Sequence, residues 1–156
     1  FSGGKDSLLA LCLVEEVYKE MGITEKVKVF FRDEELIPDD VIDFVRSKAE
    51  SGRYDFRYYA IPLQSSKFIL GNTYEYVQWD KDRRWLRQPP EYAIRLPENE
   101  YRVFSQYDAD EFICSKEKGR VAIITGANNP QGIGATTVLA FAREGAKVVL
   151  IYKNSI

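Results

Sequence analysis

Apolar residues recur at helical spacing early in the chain. Leu11, Val14, Tyr18 and Met21 fall on one stripe, Leu9, Leu13 and Val17 lie beside it, and Glu15, Glu16, Lys19 and Glu20 take the outer side. The pattern predicts a helix over 7–21, stopped by Gly22. The β-rich run "KVKVFF" predicts a strand over 26–31. Pro38 then opens a second helix, with Asp39 and Asp40 in its first turn, Arg46 and Lys48 near its end and Gly52 closing it. "DFRYYAIPL", 55–63, predicts another strand. Residues 64–106 break the pattern, with Pro89, Pro90, Pro97, both tryptophans and the charge mix "WDKDRRWLRQPPEY". They read as irregular structure with short elements, a candidate substrate-facing insertion. A short helix from Asp108 follows, with Asp108 and Glu111 at capping-box spacing. The last stretch predicts a strand over 121–125, a glycine loop, a helix over 134–144 stopped by Gly145, and a strand over 147–152.

Strands alternating with helices imply right-handed βαβ units. The fold class expected is α/β, a three-layer α/β/α arrangement around a mostly parallel Rossmann-like sheet. The 156 residues suffice for one ordinary domain, and 45% hydrophobic with 29% charged residues is a globular balance. A formal net charge of −2 argues against a nucleic-acid partner or an anionic membrane surface. The longest apolar run, Leu8 to Val14, is far too short to span a bilayer, so a cytoplasmic protein acting on a small molecule is expected. The chain has no histidine, which excludes Ser–His and Cys–His pairs and His-ligated metals. Cys12 and Cys114 are the only cysteines and form no CxxC, so no metal site is expected from them. Cys12 lies within "LLALCLV" and reads as a buried free thiol. Catalysis would have to use Lys, Arg, Asp, Glu, Ser, Tyr and backbone amides.

Two loops carry candidate chemistry. The first is Ser2, Gly3, Gly4, Lys5, Asp6 and Ser7. Two glycines let the backbone approach an anion, the following helix offers free N–H groups and the positive end of its dipole, Lys5 adds a charge and the serines add hydroxyls. The spacing is not that of a Walker A loop. The competing reading is a glycine-rich turn capped by Asp6 or Ser7. The loop resembles that of the PP-loop ATP pyrophosphatases, closest to the phosphoadenosine phosphosulfate (PAPS) reductase-like branch. The resemblance continues through "VKVFFRDEELIPDDVIDFV", "YYAIPLQSSKFILGNTYEYVQWDKDRRWLRQPPEYAIRL" and "VFSQYDADEFICS", covering about residues 1–118. It implies an adenine nucleotide alpha hydrolase-like fold, with ATP and Mg2+, or PAPS, held on residues 2–7. It also implies that an acid after the second strand, Asp33 or Glu35, lies near the nucleotide, with Lys5 and Asp33 as catalytic candidates for cleavage between the α- and β-phosphates. The strand that leads into the loop in that family is reduced here to Phe1, and the reductases' C-terminal cysteine motif has no counterpart. The basic–aromatic cluster Arg83, Arg84, Arg87, Trp79, Trp85 and Tyr92 could clamp a second anion or stack a base. A solvated loop anchored by two half-buried tryptophans is the favoured alternative.

The second loop is "VAIITGANNPQGIG", 121–134. It resembles the N-terminus of short-chain dehydrogenases/reductases, which implies pyrophosphate binding by Gly126, Asn128, Gly132, Ile133 and Gly134. Lys153 would suit a 2′-phosphate, so NADP is the dinucleotide that this resemblance favours. The family's Tyr-x-x-x-Lys is absent; "YKNSI" does not match it. The chain is therefore expected to be a chimera or fragment that changes family near residues 118–119. Its two parts, 1–118 and 119–156, would pack as one domain on a shared sheet, with nucleotide binding, NAD(P) binding and an inactive scaffold as the three functional readings. The oligomeric state and any partner chain stay open.

Overall fold

Helix α1 spans Lys5–Glu20, starting ahead of the predicted apolar stripe because extended backbone at Gly4 releases directly into helical turns. It is followed by β1 (Lys28–Arg32), α2 (Asp39–Glu50) and β2 (Asp55–Tyr59). This computed structural model describes residues 1–69, 71–117, 121–125, 143 and 147–151. The chain is mixed α/β and divides into two compact units, Phe1–Ser105 and Gln106–Ile156.

In the first unit β1 and β2 run parallel, with Val29 opposite Phe56 and Phe31 opposite Tyr58. The ladder has a neighbour on each side. The Phe1 amine donates to the Phe30 carbonyl at 2.9 Å. On the far edge Ile94 N donates to Tyr58 O and Ile94 O accepts from Ala60 N. Val29 and Phe31 lie two residues apart and share one face of the strand. On that face Leu11 packs with Val27, Val29 and Tyr54. Ile42 and Val45 of α2 pack with Phe31 and Tyr58. Both helices therefore cover the same face. Successive right-handed crossovers that advance in one direction across a sheet produce this arrangement. Phe1 touches both clusters.

Residues 64–106 are more regular than their composition suggests. Strand β3 (Leu63–Ile69) and β4 (Asn72–Gln78) form an antiparallel hairpin, with Leu63 opposite Gln78 and Ile69 opposite Asn72. The prolines lie beyond it, and Gly71 at φ 87° supplies the positive backbone angle at the tip. The predicted irregular segment is thus corrected to a hairpin followed by turns and a single 3₁₀ turn, Glu98–Glu100. Phe104 bridges to Leu63 and closes the unit.

The second unit holds α3 (Gln106–Lys116) and the parallel pair β5 (Val121–Thr125) and β6 (Lys147–Ile151). Helix α3 begins two residues before Asp108, so Asp108 sits in the first turn rather than at the cap, where its charge still complements the helix dipole. Residues 118–120, which include the expected change of family, and residues 126–142, with their predicted helix, lie outside the described residues.

The expectation of a buried Cys12 thiol is also corrected: Cys12 is exposed. Leu9, Leu13, Val17 and Met21 are exposed as well, Met21 by 69%. Apolar residues occupy more of the circumference of α1 than its contact with β1 can cover, and only the Ala10–Leu11 side is buried.

Candidate functional site

The loop at residues 2–7 is built by its own hydroxyls. Ser7 Oγ donates to the Gly4 carbonyl at 2.9 Å and accepts from Ser2 Oγ at 3.1 Å and from Ser2 N at 3.2 Å. Ser2 Oγ in turn accepts from Gly4 N at 3.4 Å. Gly3 adopts φ 78°, and a Cβ there would stand 2.9 Å from Val41 Cγ1 and from Val45 Cγ2 of α2. Gly3 therefore lets α2 approach the loop. Gly4 differs: its φ is −79°, open to any residue, and a Cβ would meet Ser2 Oγ at an ordinary 3.6 Å. Gly4 is the N-cap of α1 and has no side-chain cap. The first-turn N–H groups, which have no intrahelical acceptor, belong to Lys5, Asp6 and Ser7. Lys5 and Asp6 are exposed. Ser7 ties its side chain to the backbone of the loop at Ser2 and Gly4, as the reading of a glycine turn capped by Ser7 expected.

The buried Phe1 amine anchors the loop to β1. Removal from water lowers its pKa to about 6.

The acidic residues after β1 form a second constellation. Asp33 and Glu35 are both 1% exposed. The Asp33 carboxylate accepts a hydrogen bond from Tyr58 Oη at 2.6 Å and pairs with Arg87. Burial pushes the Asp33 carboxyl above its ordinary range, and the bonds from Tyr58 and Arg87 oppose that shift. Burial and the neighbouring carboxylate push the Tyr58 hydroxyl up. Glu35 accepts from Trp79 N at 2.9 Å, Leu86 N at 2.8 Å and Arg83 at 2.7 Å. Arg87 also donates to the carbonyls of Glu34 at 2.9 Å, Ile37 at 3.1 Å and Glu35. Trp79 Nε1 donates to the Asp33 carbonyl at 2.7 Å. The Arg87 guanidinium lies over the Trp79 ring, and Trp85 meets that ring edge-on at 5.6 Å.

The basic–aromatic segment is a largely exposed loop anchored by its tryptophans, with Lys81, Asp82, Arg83, Arg84 and Leu86 exposed and Trp85 half-buried, but its inner face is tied to the carboxylates. Trp79 is 3% exposed. Arg83 and Arg87 face inward onto carboxylates, whereas Arg84 is exposed and Tyr92 bonds to Glu50 at 3.1 Å. The structure brings Asp33 and Glu35 together with this cluster. Their carboxylate oxygens are occupied by protein donors. One sequence signal could have revealed it: "DEE" at 33–35 and "RRWLR" at 83–87 are complementary charge runs, and charges this buried require partners. Among the described residues no group of three His, Cys, Asp or Glu side chains is placed to hold a metal ion. None of the described helices is long and apolar enough to cross a membrane. Of the second loop, only the flanking strands β5 and β6 are described; Gly126, Asn128, Gly132, Ile133, Gly134 and Lys153 lie outside the described residues.

No family model matches the chain, and no solved structure matches it. Two curated proteins are similar to it. One is the uncharacterized protein YbdN of Escherichia coli K12, 37% identical over 101 residues, which cover 63% of this chain and 24% of that protein. The other is the uncharacterized oxidoreductase YhdF of Bacillus subtilis 168, 38% identical over 74 residues, 46% of this chain and 25% of that protein. In each alignment the matched part is about a quarter of the relative's length.

Proposed function

We propose that this chain binds the phosphates of an adenine nucleotide, ATP or a PAPS-type sulfonucleotide, on residues 2–7, in the manner of the PP-loop proteins it resembles. The observation that carries the reading is an α1 N-terminus with no side-chain cap, braced open by Ser2 and Ser7, with the exposed Lys5 beside it. A phosphate supplies what such an end lacks: negative charge and several strong acceptors. Lys5 would neutralise charge as the α–β bond breaks. Magnesium would enter on the nucleotide's own phosphates, because both Asp33 oxygens are engaged by Tyr58 and Arg87; Asp6 is the exposed carboxylate of the loop. Asp33 would act through Arg87, as a positioning residue. The finer fold that goes with this reading is a three-layer Rossmann-like domain.

A second reading, an NAD(P)-binding segment of short-chain dehydrogenase type, is favoured by the parallel register of β5 and β6, which have 21 residues between them, Gly126 to Ala146. A parallel pair needs a crossover connection of that order. The similarity to a protein named an oxidoreductase points the same way.

Thermal-shift titrations with Mg-ATP, PAPS, NADP and NAD separate the readings, since a ligand that binds only the folded state raises the midpoint. A rise with ATP or PAPS that Lys5→Ala abolishes supports the first loop. A rise with NADP alone, untouched by Lys5→Ala and lost in Gly132→Asp, transfers the function to the second loop.

A further inference from the structure

We propose that residues 79–90 form a strap, locked across the carboxyl end of β1 by Glu35 and Asp33 and able to swing away about Trp79. The inference stands apart from the nucleotide reading, since it concerns access to that end of the sheet whatever the ligand. Open α/β sheets take ligands outside the carboxyl ends of their strands. Here that place is filled from within. The Asp33 and Glu35 carboxylates and the carbonyls of Asp33, Glu34, Glu35 and Ile37 all accept bonds from Trp79, Arg83, Leu86 or Arg87.

Three observations mark the segment as a separable device. First, its polar hold converges on few groups: Arg83, Arg87 and the N–H groups of Trp79 and Leu86 meet two carboxylates, with Arg46 of α2 donating to the Gln88 carbonyl at 2.8 Å and buried Trp79 as the anchor, so loss of one ion pair weakens the hold beyond that anchor. Second, Trp79 has φ 52°, the one non-glycine residue with positive φ among the described residues. Bulky side chains avoid that region, and such strain persists only where surrounding contacts impose it. Third, Arg87 Nε and Gln78 Oε1 are buried without a hydrogen-bond partner among the described residues, so the closed arrangement leaves polar groups unsatisfied at both ends of the lock. Opening releases the strain and wets those atoms, while closing regains the ion pairs.

Both tryptophans of the chain, Trp79 and Trp85, lie in the strap. Tryptophan fluorescence, excited selectively over the ten tyrosines, therefore reads the strap, and far-UV circular dichroism reads the helices. The two signals are followed through urea titrations of the full chain and of Arg83→Met and Glu35→Gln. Arg83→Met removes a guanidinium that is 40% exposed and leaves the N–H donors of Trp79 and Leu86 on Glu35. The expected result is a fluorescence transition at lower urea than the circular dichroism transition. Arg83→Met should shift the first transition and leave the second in place. Coincident transitions in the wild-type chain that move together in Arg83→Met would overturn the proposal and make residues 79–90 an integral part of the core. If Glu35→Gln does not fold, Arg83→Met decides alone.

Discussion

Replacing Gly3 by alanine tests the construction of the loop at residues 2–7 most sharply, with Gly4→Ala as its internal control. At Gly3 two penalties combine. A Cβ at φ 78° costs about 1–2 kcal/mol in backbone sterics. It would also stand 2.9 Å from a methyl of Val41 and a methyl of Val45, and overpacking of that kind costs about 1–3 kcal/mol. The smaller entropy of the unfolded alanine chain returns roughly 0.4–1 kcal/mol. The net expectation is a loss of about 1–4.5 kcal/mol, a fall in Tm of roughly 3–14 °C for a chain of this size. At Gly4 the backbone angle is ordinary and the new methyl meets Ser2 Oγ at 3.6 Å, so stability should stay within ~1 kcal/mol of wild type. Urea denaturation followed by far-UV circular dichroism measures both. If Gly3→Ala and Gly4→Ala unfold at the same urea concentration, Gly3 does not carry the close approach of α2. Gly4→Ala should nonetheless weaken any Mg-ATP stabilisation if phosphate oxygens come against that backbone.

The Phe1 amine predicts a pH dependence. Its folded pKa lies below its unfolded value of 8.0, at about 6, so the unfolded chain binds the extra proton between these limits. Stability should therefore be lowest below pH 6, rise through pH 6–8 and level off above; a variant extended ahead of Phe1, where the amine becomes an amide, should lose this slope. Arg87→Ala leaves Asp33 buried without its cation and should cost ~3–5 kcal/mol in urea denaturation; a loss under about 1 kcal/mol would show the pair to be dispensable. Leu11→Ala should cost ~2–4 kcal/mol, because Leu11 is 6% exposed and packs on Val27 and Val29. Leu13→Ala, at a half-exposed position, should stay within ~0.5 kcal/mol, and equal effects at the two positions would contradict the packing described for α1.

Local patterns in the chain were enough to place α1, α2, β1, β2, β5 and β6 to within a few residues. Their signals are short-range: apolar spacing, Pro38 at a helix entry, Gly22 and Gly52 at helix exits. The loop at 2–7 was legible for the same reason as a glycine turn running into a helix, since two glycines ahead of an apolar stripe are a local signal. Three features depended on distant residues. The burial of Leu11 and the exposure of Cys12 and Leu13 follow from how much of α1 the β1–β2 face covers. The different duties of Gly3 and Gly4 follow from where Val41 and Val45 of α2 arrive. The PP-loop resemblance puts Asp33 or Glu35 near a nucleotide, but their partners within the fold, Arg83 and Arg87, lie about fifty residues away and meet them only when the chain returns across β1. A buried charge is tolerated only with its counterion in contact, and that contact is a property of the folded chain rather than of either segment.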